Sequence, residues 1–293
     1  MTWLEGKTIV MTGAGRGIGA ATARLAASYG AHVVVNDRDA AEAEAVARAI
    51  GEAGGTAVSH PGDVTDWAAA RELVMRAVAE WGRLDGLFNN AGLFHMARIE
   101  ELDEASVRAH LEVNVLGSFA CAVHAARQML AQGKGGAILN VSSGAQMGLP
   151  AMSAYGASKG AMASATYAWA TELREAGIRV NALSPMAATR MMDEAERYLG
   201  APVSSVPAEF NAPVACYLLS DAASGVTGQV VRIEGRVLSL AVHPGIALPT
   251  LEGEWDFERV ADAFRTDLGR RQFPSGTVGM TVEIGGNASR AWD

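Results

Sequence analysis

The stretch Thr12-Gly13-Ala14-Gly15-Arg16-Gly17-Ile18-Gly19 lies between a β-branched run and an alanine-rich run near the start of the chain. The run before it, Thr8 to Thr12, has the composition of a strand, and the run after it, Ala20 to Tyr29, has that of a helix. Glycines let a backbone turn tightly and approach a pyrophosphate, and the N-terminus of the following helix directs free N–H groups toward it. Because a strand leads in and a helix leads out, the stretch predicts a dinucleotide-binding βαβ unit.

The same alternation of short β-branched runs and amphipathic, alanine-rich runs continues along most of the chain, which is typical of a parallel sheet. The helical runs Ala40 to Ala53 and Trp67 to Trp81 are each followed by a glycine suited to a left-handed cap. We therefore predict an α/β fold with a doubly wound parallel sheet of the Rossmann type. The predicted strands are Thr8 to Thr12, His32 to Asn36, Thr56 to His60, Leu84 to Asn89, Ala137 to Ser142, Ile178 to Ala182 and Gln229 to Ile233.

The length of 293 residues suits one large α/β domain or two small ones, and we predict a single domain over residues 1–240. The pattern changes after Pro185, where a short helical run and a proline-punctuated loop predict a lid over about residues 186–212. Residues 241–293 are too few to bury a core of their own. We expect them to form a C-terminal extension packed on the domain or on a neighbouring subunit.

Composition excludes several classes of partner. The net charge of −8 and the pI near 5.3 argue against nucleic-acid binding, which needs a basic face to release counterions. The chain shows neither a leader-like start nor an apolar run long enough to cross a bilayer, so a cytoplasmic location without membrane contact is expected. The histidines and cysteines lack metal-ligand spacing, so no metal site is predicted.

A second motif concerns proton transfer. Tyr155 and Lys159 are four residues apart, so on a helix they share one face, and Ser143 precedes them by a short loop. A cation beside a phenol favours the phenolate and lowers its pKa, which makes the phenol a usable acid and base near neutral pH. Such pairs also occur on ordinary solvated helix faces. The catalytic interpretation therefore depends on the remaining motifs.

The choice of nucleotide rests on the end of the second predicted strand. Asp37 is placed there to accept hydrogen bonds from an adenosine ribose and to repel a 2′-phosphate, so NAD is predicted in preference to NADP. Arg16 and Arg38 favour the opposite choice, because a guanidinium in either place can clamp a 2′-phosphate.

Taken in order, Thr12 to Gly19, Asn89-Asn90-Ala91-Gly92, Asn114, Ser142-Ser143 and Tyr155-Gly156-Ala157-Ser158-Lys159 resemble the motifs of the short-chain dehydrogenases/reductases. The resemblance runs from about Lys7 to Ile233, with Met186 where the family most often has glycine. The cofactor contacts that it implies are Gly13, Gly15, Arg16, Gly17, Ile18, Gly19, Asp37, Asp63, Val64, Asn90, Ala91, Gly92, Tyr155, Lys159, Pro185 and Thr189.

The resemblance also implies catalytic roles. Tyr155 is similar to the acid and base that acts on the substrate oxygen, and Lys159 to the residue that lowers its pKa and holds the nicotinamide ribose. Asn114 is similar to the residue that anchors a water for the proton relay, and Ser143 to the one that binds the substrate oxygen. The family places its serine thirteen residues before its tyrosine, which falls on Ser142, whereas Ser143 matches by its place after the strand. We choose Ser143 and keep Ser142 as the alternative.

The implied activity is hydride transfer between NAD(H) and a secondary alcohol or its ketone. Several flexible apolar side chains near the motifs favour a substrate with an apolar alicyclic, steroid-like or acyl body. A 3-oxoacyl-thioester reductase and a non-catalytic dinucleotide sensor remain alternatives. Family members are commonly homotetramers, so the resemblance implies a homo-oligomer, either a tetramer or a dimer. The apolar side chains are Met147, Leu149, Met152, Met186, Met191 and Met192.

Overall fold

The computed structural model describes residues 2–187, 190–200, 206–245 and 250–270, with the backbone alone for residues 190–193. In this part of the chain, eight strands form one sheet in the order β3-β2-β1-β4-β5-β6-β7-β8. The strands are β1 Thr8–Met11, β2 His32–Val35, β3 Thr56–Ser59, β4 Gly86–Asn89, β5 Gly136–Val141, β6 Ile178–Met186, β7 Val230–Glu234 and β8 Val237–Ala241. The helices are α1 Gly17–Ser28, α2 Ala40–Glu52, α3 Trp67–Trp81, α4 Glu104–Leu111, α5 Ser118–Gln132, α6 Ser153–Glu172, α7 Arg190–Leu199, α8 Ala212–Leu219 and α9 Phe257–Thr266.

Strands β1 to β7 are parallel, and β1 lies between β2 on one side and β4 on the other. From β1 the sheet thus extends through β2 and β3 on one side and through β4 to β8 on the other. The place between β1 and β4, where the strand order reverses, is the switch point at which doubly wound folds bind ligands. The predicted α/β fold with a doubly wound parallel sheet is confirmed. It positions the ends of β1, β4 and β5, and the loops that follow them, at one edge of the sheet.

The sheet is buried on both faces. Along β1, Ile9 and Met11 belong to one apolar cluster, which includes α1 and α8, whereas Val10 between them belongs to the other, which includes α3 and α5. This follows from the alternation of side chains along a strand. A central parallel strand covered by helices on both sides is apolar throughout, which explains the unbroken β-branched runs in the sequence.

The predicted helix ends are close to the observed ones. Helix α3 ends at the predicted residue, and Gly82 caps it with a left-handed φ of 73°. Its first turn is capped by Asp66, whose carboxylate accepts hydrogen bonds from the N–H groups of Ala68 and Ala69 at 2.8 and 3.2 Å. Helix α2 is followed by Gly54, which also has a positive φ of 83°.

Two features of the last part of the sheet differ from the sequence prediction. Strand β6 continues to Met186, four residues beyond the predicted end at Ala182. Strand β8 was not predicted, and it pairs antiparallel with β7. Its apolar side chains are mostly exposed, including Val237 at 65% and Leu238 at 61%, so the run lacks the buried pattern of the other strands.

The chain divides into two compact units, Met1–Ala241 and Val242–Asp293. In the second, α9 is capped by Asp256, which accepts a hydrogen bond from the Arg259 N–H at 2.8 Å. How the extension packs stays a prediction. None of the helices in the described ranges is long and apolar enough to span a membrane.

Candidate active site

The glycine-rich turn closes tightly on the segment that follows β4. Gly13 has a φ of +57°, and a Cβ there would lie 2.7 Å from the Cα of Ala91. A Cβ on Gly19 would lie 2.5 Å from the carbonyl oxygen of Gly13 and 2.6 Å from Nδ2 of Asn90. Glycine is therefore required at both positions by direct contact with backbone atoms, and the turn leaves a narrow cradle at the start of α1.

Hydrogen bonds fix the same two segments to each other. Oγ1 of Thr12 accepts hydrogen bonds from the N–H groups of Asn90 and Ala91, both at 3.0 Å. The side-chain amide of Asn90 donates to the carbonyl oxygens of Thr12 and Gly13 at 3.1 and 2.9 Å. The predicted contact residues Asn90 and Ala91 thus hold the floor of the cradle, and Gly92 continues directly from them.

The start of α1 is suited to an anion. The helix begins at Gly17, and Arg16 at its N-cap position is extended and gives no side-chain cap. The N–H groups of the first turn therefore have no side-chain partner there, and helix N-termini of this kind attract phosphate groups. The side chain of Ile18, in the first turn of α1, packs against the apolar core. The cradle and the uncapped helix start together fit a dinucleotide pyrophosphate.

Two carboxylates that follow β2 contact Arg16, and a third accepts a hydrogen bond from the residue before it. Its Nη2 lies 2.6 Å from Oδ2 of Asp39 and 2.7 Å from Oε1 of Glu42. The guanidinium lowers the pKa of Asp39 through this hydrogen bond. Asp37 accepts a hydrogen bond from the Gly15 N–H at 3.1 Å. The arginine that the sequence offers as a phosphate clamp is thus already paired with two carboxylates.

The other predicted nucleotide contacts are distributed around this cradle. Asp63 is exposed, and its Oδ1 accepts hydrogen bonds from the N–H and the hydroxyl of Thr65 at 2.9 and 2.8 Å. Val64 is buried, and its side chain belongs to the apolar core on the α3 and α5 side of the sheet. Pro185 lies near the end of β6, opposite Ile233 of β7. The predicted contact Thr189 lies outside the described residues.

The predicted proton-transfer residues come together beyond the end of β5. The Ser143 side chain lies beside the hydroxyl of Tyr155 and favours its phenolate. Nζ of Lys159 lies 5.7 Å from the centre of the Tyr155 ring and donates to the carbonyl oxygen of Val141 at 3.1 Å. Ser142, the alternative serine, is fully buried and donates to the carbonyl oxygen of Lys159 at 3.0 Å. The geometry therefore brings Ser143, and not Ser142, to the phenol.

Burial acts on both titrating groups of this site. It raises the pKa of Tyr155 to about 12, and the neighbouring Ser143 hydroxyl opposes the rise. It lowers the pKa of Lys159 to about 8. The expectation of a lowered tyrosine pKa is therefore wrong for the structure as it stands, because removal from water disfavours the phenolate. The low lysine pKa means that the first proton leaves the pair near pH 8.

Asn114 lies in a widened helical turn, Glu112–Gly117, between α4 and α5. Its side chain is fully buried and bonds twice to Leu93, accepting from its N–H at 2.7 Å and donating to its carbonyl oxygen at 2.9 Å. It also donates to Oγ of Ser158 at 2.9 Å. Ser158 in turn donates to the carbonyl oxygen of Tyr155 at 2.7 Å. Asn114 thus connects the loop after β4 to the helix that carries the phenol.

Sequence reasoning missed a cluster beside the phenol. The rings of Phe94 and Tyr155 meet edge to face at 4.9 Å, and the buried ring of His110 lies 6.2 Å from that of Tyr155. His95, which the sequence leaves without a nearby carboxylate, contacts Glu194 of α7. This partner is 99 residues away in sequence, so no local spacing reveals it.

The flexible side chains predicted near the site are only partly accounted for. Met152 packs with Phe94 and Tyr155 in one cluster, and Met147 is exposed at 39%. Leu149 and Met186 are half-buried, and the side chains of Met191 and Met192 lie outside the described residues. Among the described residues, no group of histidine, cysteine, aspartate or glutamate has the arrangement of a metal site.

Comparison with known proteins gives three kinds of match. The model of the short chain dehydrogenase family matches residues 7–198. Cis-4-hydroxycyclohexanecarboxylate dehydrogenase of Sinomonas cyclohexanicum is 39% identical over 78% of this chain and 95% of that protein. The 2,5-dichloro-2,5-cyclohexadiene-1,4-diol dehydrogenase of Sphingobium indicum is 37% identical over 80% of this chain and 98% of that protein.

A solved structure of a short chain dehydrogenase from Mycobacterium avium superposes with a TM-score of 0.83. It is 32% identical and covers 93% of this chain and 98% of that one. The family match covers more than half of the chain, and both named relatives are more than 30% identical over most of their length. The chain is therefore an oxidoreductase that belongs to the short-chain dehydrogenase/reductase family.

Proposed function

We propose that this protein transfers a hydride between NAD(H) and a secondary alcohol or its ketone, with Tyr155 as the acid and base. The observation that carries the proposal is the placement of the Ser143 side chain beside the Tyr155 hydroxyl, next to the buried Lys159. A phenol that is held by a hydroxyl and flanked by an amine is arranged for proton transfer to an oxygen. A protein that only bound the nucleotide would have no use for this arrangement.

Each polar side chain of the site has its own proposed role in the reaction. Tyr155 Oη takes the proton of the alcohol in oxidation and returns it to the ketone oxygen in reduction. Ser143 holds that oxygen in place, and Lys159 carries the compensating change in charge. Asn114 fixes the position of the loop after β4 relative to α6 through its hydrogen bonds to Leu93 and Ser158. The nicotinamide, when bound, supplies or accepts the hydride.

The acidic surroundings of β2 support NAD over NADP. Asp37, Asp39 and Glu42 place three carboxylates near the turn, and Arg16 is engaged with two of them. A 2′-phosphate brought to this place would face repulsion that the paired guanidinium does not offset.

Exchange of Asp37 for serine is expected to lower the preference for NAD over NADP about tenfold, equivalent to roughly 1.4 kcal/mol of binding free energy. The measurement is kcat/KM with each nucleotide. Glu44→Gln is the matched control, because Glu44 is an exposed carboxylate of α2 outside the predicted nucleotide contacts, and it should leave the preference as it is. An Asp37→Ser protein with unchanged preference would refute the assignment.

The body of the substrate is proposed to be an apolar alicyclic ring. The names of two relatives, the cyclohexanecarboxylate and cyclohexadiene-diol dehydrogenases, support a six-membered ring that bears the alcohol. The packing of Phe94 and Met152 against Tyr155 supports the same choice, since aromatic and thioether groups suit an apolar ring.

The test of this function follows nicotinamide absorbance across cyclic, steroid-like and straight-chain secondary alcohols and their ketones, with both nucleotides. We expect turnover of cyclic secondary alcohols with NAD. Faster turnover of small polar polyols than of every apolar alcohol would contradict the proposal of an apolar substrate body. Turnover confined to 3-oxoacyl thioesters would favour the alternative reductase, and an absence of turnover with every compound would favour the sensor.

The rate of alcohol oxidation is expected to rise with pH up to about pH 8 and then to level off, because Lys159 has a pKa of about 8. Tyr155 and Lys159 must together lose one proton before Tyr155 Oη can accept the proton of the alcohol. This loss is a property of the two coupled groups and not of either one alone. Ketone reduction needs the protonated pair, so its rate falls above the same pH. Profiles of kcat/KM in both directions measure this, and oxidation that slows between pH 7 and pH 8 would contradict it.

Ser143→Ala is expected to lower kcat about 100-fold, the loss typical of removing one hydrogen bond to a reacting oxygen. Ser142→Ala removes a buried hydrogen bond to the Lys159 carbonyl and should cost about 1 kcal/mol of stability with turnover largely kept. Steady-state kinetics and thermal unfolding of both variants separate the two serines. The reverse result would assign the role to Ser142.

A further inference from the structure

Two polar side chains from distant elements meet beside the phenol. Nδ1 of His95, in the loop after β4, is bonded to Oε1 of Glu194 on α7. Phe94, the residue before His95, and Ala195, the residue after Glu194, are buried in one apolar cluster, against which Tyr155 packs. The pair therefore lies at the edge of the cluster that contains the proposed acid and base.

The loop that carries His95 is held in place from behind. The His95 N–H donates to Nε2 of His110 at 3.1 Å, and Nδ1 of the same ring donates to the carbonyl oxygen of Ser106 at 2.8 Å. Burial lowers the pKa of His110, which keeps this ring neutral and able to accept the bond. His95 thus has a fixed backbone position beside Phe94, whose ring packs against that of Tyr155.

The side chains of the pair are reachable from solvent. The His95 side chain is 52% exposed and that of Glu194 is 29% exposed. An exposed pair of polar side chains contributes little to stability, so holding the fold together is a weak reason for its position. Within the described part of the chain, Nε2 of His95 has no recorded hydrogen-bond partner, which leaves this atom to a ligand.

The carboxylate of Glu194 determines whether Nε2 of His95 donates or accepts a hydrogen bond. Because Nδ1 faces Glu194, it carries the ring proton of the neutral imidazole, and Nε2 is then a hydrogen-bond acceptor. An acceptor at this place selects a hydroxyl donor.

We infer that His95, oriented by Glu194, determines specificity by accepting a hydrogen bond from a second hydroxyl on the ring of the substrate. The inference rests on the proposed oxidation of a cyclic alcohol at Tyr155, and it narrows the substrate class to cyclic diols. His95 is the contact residue, and Glu194 is a positioning residue that fixes its tautomer.

The test compares cis-cyclohexane-1,4-diol with cis-4-methylcyclohexanol, which has a methyl group in place of the second hydroxyl. We expect the native protein to prefer the diol in kcat/KM by about tenfold, a modest ratio because the site is partly open to water. His95→Leu should abolish this preference. Glu194→Gln should reduce it, since an amide no longer fixes the ring proton.

The control is Tyr198→Phe. Tyr198 also lies on α7 and donates to Oε2 of Glu101 at 3.2 Å, so its loss loosens the same helix without touching the pair. The preference should survive in this variant. Equal loss of the preference in Tyr198→Phe and His95→Leu would show that the pair only tethers α7, and would overturn the inference.

A binding measurement separates this inference from the proposed function. In a Tyr155→Phe background with NAD, calorimetric titration compares the two compounds without turnover. A preference for the diol that His95→Leu removes supports the inference even if the native protein oxidises neither compound, in which case the proposed function alone fails. Equal binding of the two compounds before and after the His95 exchange overturns the inference, even if alcohols are oxidised.

Discussion

Tyr155→Phe is expected to lower kcat for alcohol oxidation about 1,000-fold, within the range of general acid and base catalysis, and to leave NAD affinity nearly unchanged. The exchange removes one oxygen atom, which lies beside Ser143 and is the atom proposed to move the proton. The ring remains and keeps its packing against Phe94, so the geometry of α6 is preserved. Steady-state kinetics and a nucleotide titration on the same sample measure both quantities.

The matched control is Tyr167→Phe, which makes the same exchange farther along α6. Tyr167 packs against a separate apolar cluster that includes Ala163 and Val230. Its loss should change kcat by less than about twofold, as for a residue away from special features of the fold. A Tyr155→Phe protein that stays within tenfold of native turnover would show that the phenol is not the acid and base. Joint loss of turnover and NAD binding would indicate displaced packing instead.

The motif order and the strand pattern predict the fold well because both depend on local sequence. The β-branched runs and the glycine-rich turn locate β1 and α1, and Gly82 ends α3 at the predicted residue. Strand β8 escaped prediction because it is an exposed antiparallel edge, whose apolar side chains mostly face solvent instead of a core. Its stability comes from backbone pairing with β7, which composition does not reveal.

The candidate site was predictable where sequence neighbours perform the chemistry, and not where distant residues meet. The spacing of Tyr155 and Lys159 predicts their common face, but not the burial that moves both pKa values. The sequence suggested Arg16 as a phosphate clamp because its partners Asp39 and Glu42 are brought to it only by folding. Long-range pairs of this kind depend on topology, and spacing rules do not register them.

The glycine-rich turn allows a second strong prediction, for Gly19→Ala. The added Cβ would lie 2.5 Å from the carbonyl oxygen of Gly13 and 2.8 Å from the Cα of Ala14, and backbone atoms cannot swing aside as a flexible side chain does. We expect a loss of about 1–3 kcal/mol of stability from overpacking. Because the turn must open to relieve the contact, NAD affinity should fall about 100-fold, equivalent to roughly 2.8 kcal/mol.

Gly51→Ala is the control for this exchange. Gly51 lies in α2, where an added Cβ meets nothing within 4 Å, so the exchange should stabilise the protein by about 0.4–1 kcal/mol and leave NAD binding unchanged. Calorimetric titration with NAD and thermal unfolding measure both effects. Native affinity in Gly19→Ala would show that the turn does not hold the nucleotide. We expect Gly19→Ala to lose NAD binding and Tyr155→Phe to lose turnover alone. This pattern would show that the nucleotide cradle and the proton-transfer site are separate, because a defect of the whole sheet would lower NAD binding and turnover together.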